Sequence, residues 1–217
     1  MEQNSKLTLK YSELSGNQEI NISGDVYGYG GCSGGICHTV NIGPNSRLNG
    51  PYLFALCENL KKVDFGENVS IDANNAFQKC YSLETLNASN GLHLRGNASF
   101  AQCGFRVLVI PAGSIIDGNH SFGQCQNLRS LVIGDGTVIL GDSSFQDCSK
   151  LSSIQVGNGV KILGNRTFAN CEKIGTFHAG DDFYVSGEDN FMNCRNITST
   201  HYGKNLRLHD ESAVIFA

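Results

Sequence analysis

The sequence predicts a β-rich solenoid of about eight coils, in which each coil takes about 23 residues. A Phe-x-x-Cys motif returns at a nearly constant interval, and an alternation of aliphatic residues follows each Cys at a fixed offset. Glycine is abundant, with 26 residues against 3 prolines, which is typical of a chain with many tight turns. A single coil of this length cannot bury its own apolar face, so the coils must stack around one continuous core.

The Phe-x-x-Cys motif is the strongest repeat signal, because it combines two uncommon residue types at one spacing. The steps between its successive Phe residues are 23, 23, 22, 23, 23 and 23. A degenerate copy, Tyr29 and Cys32, begins 25 residues before the first of them. We expect the segment around the motif, such as 76–80, to form one helical or 3-10 turn. The seven copies are Phe54/Cys57, Phe77/Cys80, Phe100/Cys103, Phe122/Cys125, Phe145/Cys148, Phe168/Cys171 and Phe191/Cys194.

An aliphatic pattern after each Cys predicts the main β-strand of every coil. In one copy it consists of Leu60, Val63 and Phe65, so that two variable residues and then one variable residue separate the apolar ones. The alternation at its end is that of a half-buried strand. Later in each coil, apolar residues two positions apart predict a second, shorter strand. These pairs are Val69/Ile71, Leu92/Leu94, Val138/Leu140, Val160/Ile162, Phe183/Val185 and Leu206/Leu208.

The repeat resembles the unit of the BspA-like, or Treponema-type, leucine-rich-repeat family. That unit reads roughly Ala-Phe-x-x-Cys-x-x-Leu-x-x-Ile-x-Ile, and residues 144–156, SFQDCSKLSSIQV, follow it closely. The resemblance covers about residues 26 to 208, although the proline that usually follows the family's strand is found here only at Pro111. It implies a leucine-rich-repeat solenoid of right-handed coils with a concave parallel β-sheet, a short second strand and short helical or 3-10 turns.

The whole chain, residues 1–217, is expected to form one solenoid domain. Residues 1–25 make an N-terminal cap, 26–205 hold the repeats, and 206–217 form the last coil and the C-terminal end. Val214 stands where the next repeat would place its Phe, and the chain then ends on apolar residues. We therefore expect this end to be covered by a partner chain through self-association, by further residues, or by the tail itself. In the cap, two strands are predicted from the alternating residues Leu7, Leu9, Ile20 and Ile22.

Charge and hydropathy exclude several classes of partner. The net charge is −4 and like charges are not clustered, which disfavours binding to nucleic acid or to an anionic membrane surface. No stretch of 18 apolar residues is present, so we expect no membrane insertion. The first 16 residues lack the basic and then apolar profile of a signal peptide. Either the chain stays in the cytoplasm or a signal has been removed from it.

No motif in the sequence supports catalysis, and we expect neither an enzyme nor a bound cofactor. The glycine-rich segment 27–35 matches neither phosphate-binding spacing, because Ser33 replaces a required glycine and no Gly-Lys-Ser/Thr is present. No Ser or Cys nucleophile can be placed beside a His base. His178 and His201 occupy equivalent positions in adjacent coils, but a pair without a third ligand is a weak metal site.

The nine cysteines allow three interpretations, and their common phase favours one of them. One Cys per coil at one position predicts a buried column of free thiols that face the core beside the Phe. A disulfide framework would normally show an even count and irregular spacing. Zinc needs closely spaced pairs, and only Cys32 and Cys37 are near each other. We interpret Cys37 as the residue at the Leu position of its coil, with a local disulfide as the alternative, and expect no metal site.

The outward residues of the main strands are the candidate binding residues. They form two columns of mostly short polar side chains, with an apolar stretch at Val107, Val109 and Val132. Such columns either reflect the β-propensity of an exposed sheet or form a binding surface, since solenoids commonly bind through their concave face. The absence of Trp argues against sugar stacking as the main mode. Beginning with Thr39 and Asn41, the columns continue through the predicted ligand-binding residues Lys62, Asp64, Thr85, Asn87, Val107, Val109, Ser130, Val132, Ser153, Gln155, Thr176, His178, Ser199 and His201.

These features favour a non-catalytic protein-binding module that uses its concave sheet. Members of the family are often bacterial surface or secreted proteins, so the resemblance implies an adhesive or surface-recognition protein, at the cell surface or secreted, with a host or matrix protein as its ligand. The free thiols and the absence of a signal favour the alternative, an intracellular protein-interaction scaffold.

Overall fold

The computed structural model describes residues 7–9, 18–30 and 35–209, and it describes the side chains of all of these except 7–9. All regular elements in these residues are β-strands, and neighbouring strands pair in parallel. Each coil contributes one strand of four residues and one shorter strand, which run in separate sheets. The predicted solenoid of stacked coils of about 23 residues is therefore confirmed.

The longer strands alternate between buried and outward side chains, as the aliphatic pattern predicts. They form two parallel sheets, one with four strands and one with five. We call the outward surface of these two sheets the long-strand face; it is the surface predicted to be the concave one. Its strands are β2 (Glu19–Ile22), β4 (Thr39–Ile42), β6 (Lys62–Phe65), β8 (Thr85–Ala88), β10 (Val107–Ile110), β12 (Ser130–Ile133), β14 (Ser153–Val156), β16 (Thr176–Ala179) and β18 (Ser199–Tyr202).

The shorter strands form one continuous parallel sheet of ten strands on another side of the coils. They are β1 (Leu7–Leu9), β3 (Val26–Gly28), β5 (Arg47–Asn49), β7 (Ser70–Ile71), β9 (His93–Leu94), β11 (Ile115–Ile116), β13 (Val138–Ile139), β15 (Lys161–Ile162), β17 (Tyr184–Val185) and β19 (Arg207–Leu208). The strands predicted in the N-terminal cap are present, because β1 begins this sheet and β2 begins the long-strand face.

One predicted apolar pair, Val138 and Leu140, is out of phase by one residue. The register places Ile139 opposite its counterparts in both adjacent coils, and Leu140 is 44% exposed. The second buried residue of this strand pattern, two positions before Ile139, is Thr137. Its hydroxyl donates to the carbonyl of Pro111 at 3.2 Å. Because this hydrogen bond satisfies the hydroxyl, a polar residue occupies a core position that the apolar pattern assigned to its neighbour.

The seven Phe rings of the motif form a single stack through the core. Centroids of neighbouring rings lie 4.9 to 5.4 Å apart and their planes diverge by at most 24°. All seven are buried. Offset or parallel stacking at this distance adds to the free energy of burying the rings, so the stack links every coil to the next.

The predicted helical or 3-10 turn around each motif is replaced by a run of turns. The residues two before and two after each Phe have a positive φ, as Asn75 (57°) and Lys79 (61°) do around Phe77. A left-handed residue interrupts a right-handed helix, so no helix forms there. The N–H groups of these three residues instead donate to the next coil. Their acceptors are the carbonyls of Asn97, Ser99 and Ala101, at 2.8, 2.7 and 2.9 Å.

Neighbouring coils approach closely at the position four residues before the motif Phe, which is glycine in six of the seven coils and Ala73 in the other. A Cβ on Gly141 would lie 2.2 Å from the carbonyl oxygen of Gly118, and one on Gly164 would lie 2.3 Å from that of Gly141. At Gly141 and Gly164 an added side chain would therefore overlap the adjacent backbone, which favours glycine there.

At the C-terminal end, Thr200 is exposed although its register partner in the preceding coil, Phe177, is buried. Val214 and the rest of 210–217 lie outside the described residues. That a partner chain, further residues or the tail cover this end therefore stays a prediction.

Replacing Gly141 with alanine should lower the free energy of unfolding by about 3 kcal/mol, because the added Cβ overlaps the carbonyl of Gly118 and the coils must separate. Gly136→Ala is the matched control. Gly136 has a φ of 65° and open space around its Cα, so the substitution should cost only the backbone strain of about 1–2 kcal/mol. Urea unfolding of both variants tests this, and equal losses would contradict the close approach of the coils.

Candidate functional site

The candidate binding residues lie where the alternation placed them. All fourteen, from Lys62 to His201, are outward-facing residues of the longer strands, and each is exposed or half-buried. Parallel register holds the two columns in line within each sheet; in β12 and β14, for example, Ser130 lies beside Ser153 and Val132 beside Gln155. These side chains thus lie at outward positions of the longer strands, whereas ligand binding by them stays a prediction.

At the N-terminal half of the long-strand face, polar side chains bond to one another. Lys62 Nζ lies 2.7 Å from Asp64 Oδ2, and Asn87 Nδ2 donates to Asp64 Oδ1 at 2.6 Å. In the preceding coils, Asn41 Nδ2 donates to Glu19 Oε1 and to Asn21 Oδ1, each at 2.7 Å. Exposed pairs of this kind add little stability, but they neutralise the charge of Asp64 and hold these side chains against the sheet.

The centre of the long-strand face is apolar. Val107 and Val109 on β10 are 56% and 51% exposed, and Val132 on β12 is half-buried beside Val109. β10 is the fifth of the nine longer strands. Aliphatic side chains at outward positions contribute nothing to the core, so an apolar patch within a polar face indicates a contact surface.

The long-strand face is divided between β8 and β10. β8 and β10 are successive longer strands, but they belong to different sheets. The shorter strands of the same coils, β9 and β11, still pair in register. The division coincides with the 22-residue step, in which one residue is missing between Cys103 and Phe105, shortly before β10. The backbone of Gly104 is drawn against the preceding coil, where an added Cβ would lie 2.1 Å from the carbonyl oxygen of Tyr81. Sequence reasoning missed this division, and the short step was the signal that could have revealed it.

At the C-terminal half of the face, His178 and His201 are register partners on β16 and β18. Their ring centroids lie 6.1 Å apart with the planes at 78°, which confirms that they occupy equivalent positions. No group of three or more His, Cys, Asp or Glu side chains that could hold a metal occurs within 18–30 and 35–209.

The cysteines form the predicted column of buried thiols. Within the described residues eight are buried and form no disulfide, and Cys37 precedes β4 by two residues as Leu60 precedes β6, which is the Leu position expected for it. Cys32 lies outside the described residues. Sequence reasoning missed that each thiol from Cys80 onward donates to the carbonyl of the motif Phe in the preceding coil. The Sγ to O distances are 3.1, 3.2, 3.4, 3.5, 3.2 and 3.1 Å for Cys80, Cys103, Cys125, Cys148, Cys171 and Cys194.

Four of these thiols have a raised pKa, which keeps them protonated. Loss of hydration raises the pKa of Cys125 to about 12 and that of Cys194 to about 12. Burial also raises the pKa of Cys103, and a hydrogen bond with the neighbouring thiol of Cys171 is the largest cause of the raised pKa of Cys148. Because the thiolate is the reactive form, this environment indicates structural cysteines and not nucleophiles.

Comparison with known proteins identifies the repeat. The model of the BspA type leucine rich repeat region matches residues 25–126 and 95–213, in six copies. A leucine-rich repeat protein of Treponema pallidum is 21% identical and superposes with a TM-score of 0.57, over 83% of each chain. A leucine-rich repeat protein of Bacteroides ovatus (14% identity, TM-score 0.33, 93% of this chain and 78% of that one) and a leucine rich cell surface protein of Faecalibacterium prausnitzii (13%, 0.27, 86% and 88%) are also similar.

A comparison with curated protein sequences gives no significant match. In the part of the chain that the structure describes, no helix has the length and apolarity that crossing a membrane requires.

Alkaline pH should destabilise the protein through its thiols. The pKa of Cys125 is about 12 in the folded chain, whereas an unfolded thiol titrates near 8.5, so folding favours the protonated form. The contribution of the protonated thiol to the free energy of unfolding is complete below about pH 8.5. It decreases as the pH rises towards 12, by about 1.4 kcal/mol per pH unit for each such thiol.

Urea unfolding at pH 8, 10 and 11 would measure the effect against Cys125→Ser, which keeps a donor for the carbonyl of Phe100 but does not titrate. The variant should lose less stability per pH unit above about pH 9, by roughly the contribution of one thiol. Parallel curves for the two proteins would show that Cys125 does not couple folding to pH.

Proposed function

Since the chain belongs to the BspA-type leucine-rich-repeat family, we propose that it is a non-catalytic module that binds a protein ligand through the long-strand face. The observation that supports this most directly is the exposure of Val107 and Val109, 56% and 51%, at the centre of an otherwise polar face. Binding energy in protein interfaces concentrates in a few central side chains that lose all contact with water, surrounded by polar residues that exclude it. The long-strand face has this arrangement.

The polar residues around the valines suit a rim. Ser130 and Ser153 are short and half-buried, so ordering them on binding costs little side-chain entropy. On the other side, Asp64 is already bonded to Lys62 and Asn87, so its charge has partners before a ligand arrives. A ligand that covers this face would bury few unpaired charges, which is the condition for a stable polar rim.

We propose further that the ligand is a host or matrix protein and that the module is adhesive, acting at the cell surface or in the secreted state. Support for this comes from the family, many of whose members are bacterial surface or secreted proteins. The near neutrality of the central strands favours a ligand recognised by shape and apolar contact over one attracted by long-range charge.

An intracellular interaction scaffold is the second candidate. The observation that favours it is that the eight cysteines of the described residues form no disulfide, because reduced thiols are usual in reducing compartments. Their burial weakens this preference, since the thiols are shielded from oxidants by the neighbouring coils. Labelling of intact cells of the source organism with an antibody against the chain separates the two, because only a surface protein is labelled without permeabilisation.

Substituting both central valines should weaken binding by at least tenfold. In Val107→Ser/Val109→Ser the two exposed apolar side chains are removed, while the alternating core side chains of β10 are untouched. Tenfold corresponds to about 1.4 kcal/mol, less than the contribution expected from burying two valine side chains. Biolayer interferometry of the immobilised chain against purified extracellular-matrix proteins, with fibronectin, laminin and collagen as probes, would measure it.

Val138→Ser is the matched control, because Val138 is half-buried on the short-strand sheet and its loss should leave binding unchanged. If none of the matrix proteins binds, the adhesive role is wrong. If one binds and Val107→Ser/Val109→Ser binds it as tightly as the wild type and Val138→Ser do, the ligand uses another surface. The assignment of the long-strand face is then wrong.

A further inference from the structure

The missing residue of the short coil leaves a cavity of about 310 Å³ at the surface. Between Cys103 and Phe105 only Gly104 is present, where other coils have two residues between the Cys and the next apolar position. The cavity is lined on one side by Tyr81, which follows the Cys of the preceding coil, and on the other by Gln126 and Asn127, which follow the Cys of the next. It therefore occupies the space in which the absent residue would stand.

The described residues that line this cavity are neutral, and most of them are amides. Besides Gly104 they include one aromatic ring, Tyr81, and four amide side chains, Gln102, Gln124, Gln126 and Asn127. No Asp, Glu, Lys or Arg lines it; Lys150 Nζ donates to Asn127 Oδ1 at 3.0 Å from outside the lining. The lining side chains themselves therefore offer a ligand no ion pair.

Hydrogen bonds join the lining residues across three coils. Gln102 Nε2 donates to Gln124 Oε1 at 2.7 Å, and Tyr81 Oη donates to Gln102 Oε1 at 3.5 Å. These bonds orient the two amides, while the ring of Tyr81 remains 57% exposed. Each amide has two donor hydrogens and an oxygen that accepts twice, so both keep capacity for further partners. The cavity thus presents an aromatic face beside oriented donors and acceptors.

We propose that this cavity binds a neutral saccharide unit, independently of any protein ligand on the long-strand face. Neighbouring hydroxyl groups of a sugar both donate and accept, which matches the side-chain amides, and the apolar C–H face of the ring matches the exposed tyrosine. A volume of about 310 Å³ lies at the lower end of the range of small-molecule sites, as a mono- or disaccharide requires.

The backbone around the cavity disfavours an extended peptide as the ligand. Peptides that add to a sheet bind through free backbone N–H and C=O groups. Here the N–H of Gln102 donates to the carbonyl of Gly123 at 2.9 Å, and that of Gln124 donates to the carbonyl of Gln146 at 2.8 Å. Side chains are left to contact the ligand, so recognition of hydroxyl groups is favoured over strand addition.

Saturation-transfer NMR of the full chain with glucose, galactose, N-acetylglucosamine, lactose and maltose as probes tests the proposal. We expect at least one of them to bind with a dissociation constant of about 1–10 mM, typical of a small, solvent-open site. Tyr81→Ala and Gln124→Ala should each weaken this binding at least tenfold, because one removes the aromatic face and the other the paired amide. Both residues are exposed, so the variants should unfold at the wild-type urea concentration.

Two matched controls have the same residue types elsewhere: Tyr184→Ala on the short-strand sheet and Gln18→Ala just before β2 should bind as the wild type does. Insertion of one serine after Gly104 restores the usual coil length and should fill the cavity and abolish binding. The proposal is overturned if no saccharide of the set binds, if binding survives both Tyr81→Ala and Gln124→Ala, or if only a neutral peptide such as tetraglutamine binds. The fibronectin, laminin and collagen measurements are independent of all three outcomes.

Discussion

The hydrogen bonds between neighbouring coils at the Phe-x-x-Cys turns are the constraint on which the rest of the structure depends. Around Phe100, the N–H groups of Ala98, Phe100 and Gln102 donate to the next coil at 2.8, 2.7 and 2.9 Å, even though that step has only 22 residues. Two of these three residues need a left-handed conformation, which costs free energy unless the neighbouring coil supplies the acceptors. Coils must therefore superpose at this segment, and any difference in length is taken up elsewhere.

The same constraint explains why the motif contains cysteine. The carbonyl of a motif Phe can accept two hydrogen bonds, and at Phe77 and Phe168 the N–H of the Cys in the same coil supplies one of them. A cysteine of the next coil, such as Cys171 over Phe145, donates its thiol to that carbonyl at 3.2 Å and otherwise packs as a small apolar residue. Serine could donate as well, but its hydroxyl would lose more hydration on burial, and alanine could not donate at all.

Periodicity predicts what is common to all coils, and here that was most of the fold. The buried Phe stack, the two strands and the outward columns follow from spacing alone, because position in a stacked coil decides which side chains are buried. The turns around residues such as Asn75 could not be predicted from periodicity. An isolated segment would favour a helix, and the left-handed turn is stabilised only when the next coil supplies hydrogen-bond acceptors. Thr137 was missed for a similar reason, because its partner, the carbonyl of Pro111, lies in the preceding coil. Of the site, the columns were predictable but the pairing of Lys62 with Asp64 and the division after β8 were not.

A repeat protein whose coils are all alike offers the same surface along its whole length, so a specific site requires a departure from the repeat. One departure in the middle of the solenoid is the loss of one residue after Cys103. It leaves the turns and the short-strand sheet in register, separates β10 from β8, and opens the cavity beside Tyr81. The same coil places Val107 and Val109 at outward positions that are polar in most other coils. Neither the cavity nor the exposed valines improve the packing of the core, so selection for stability alone does not account for them. Their occurrence together in one coil is what selection for binding at the centre of the solenoid would produce.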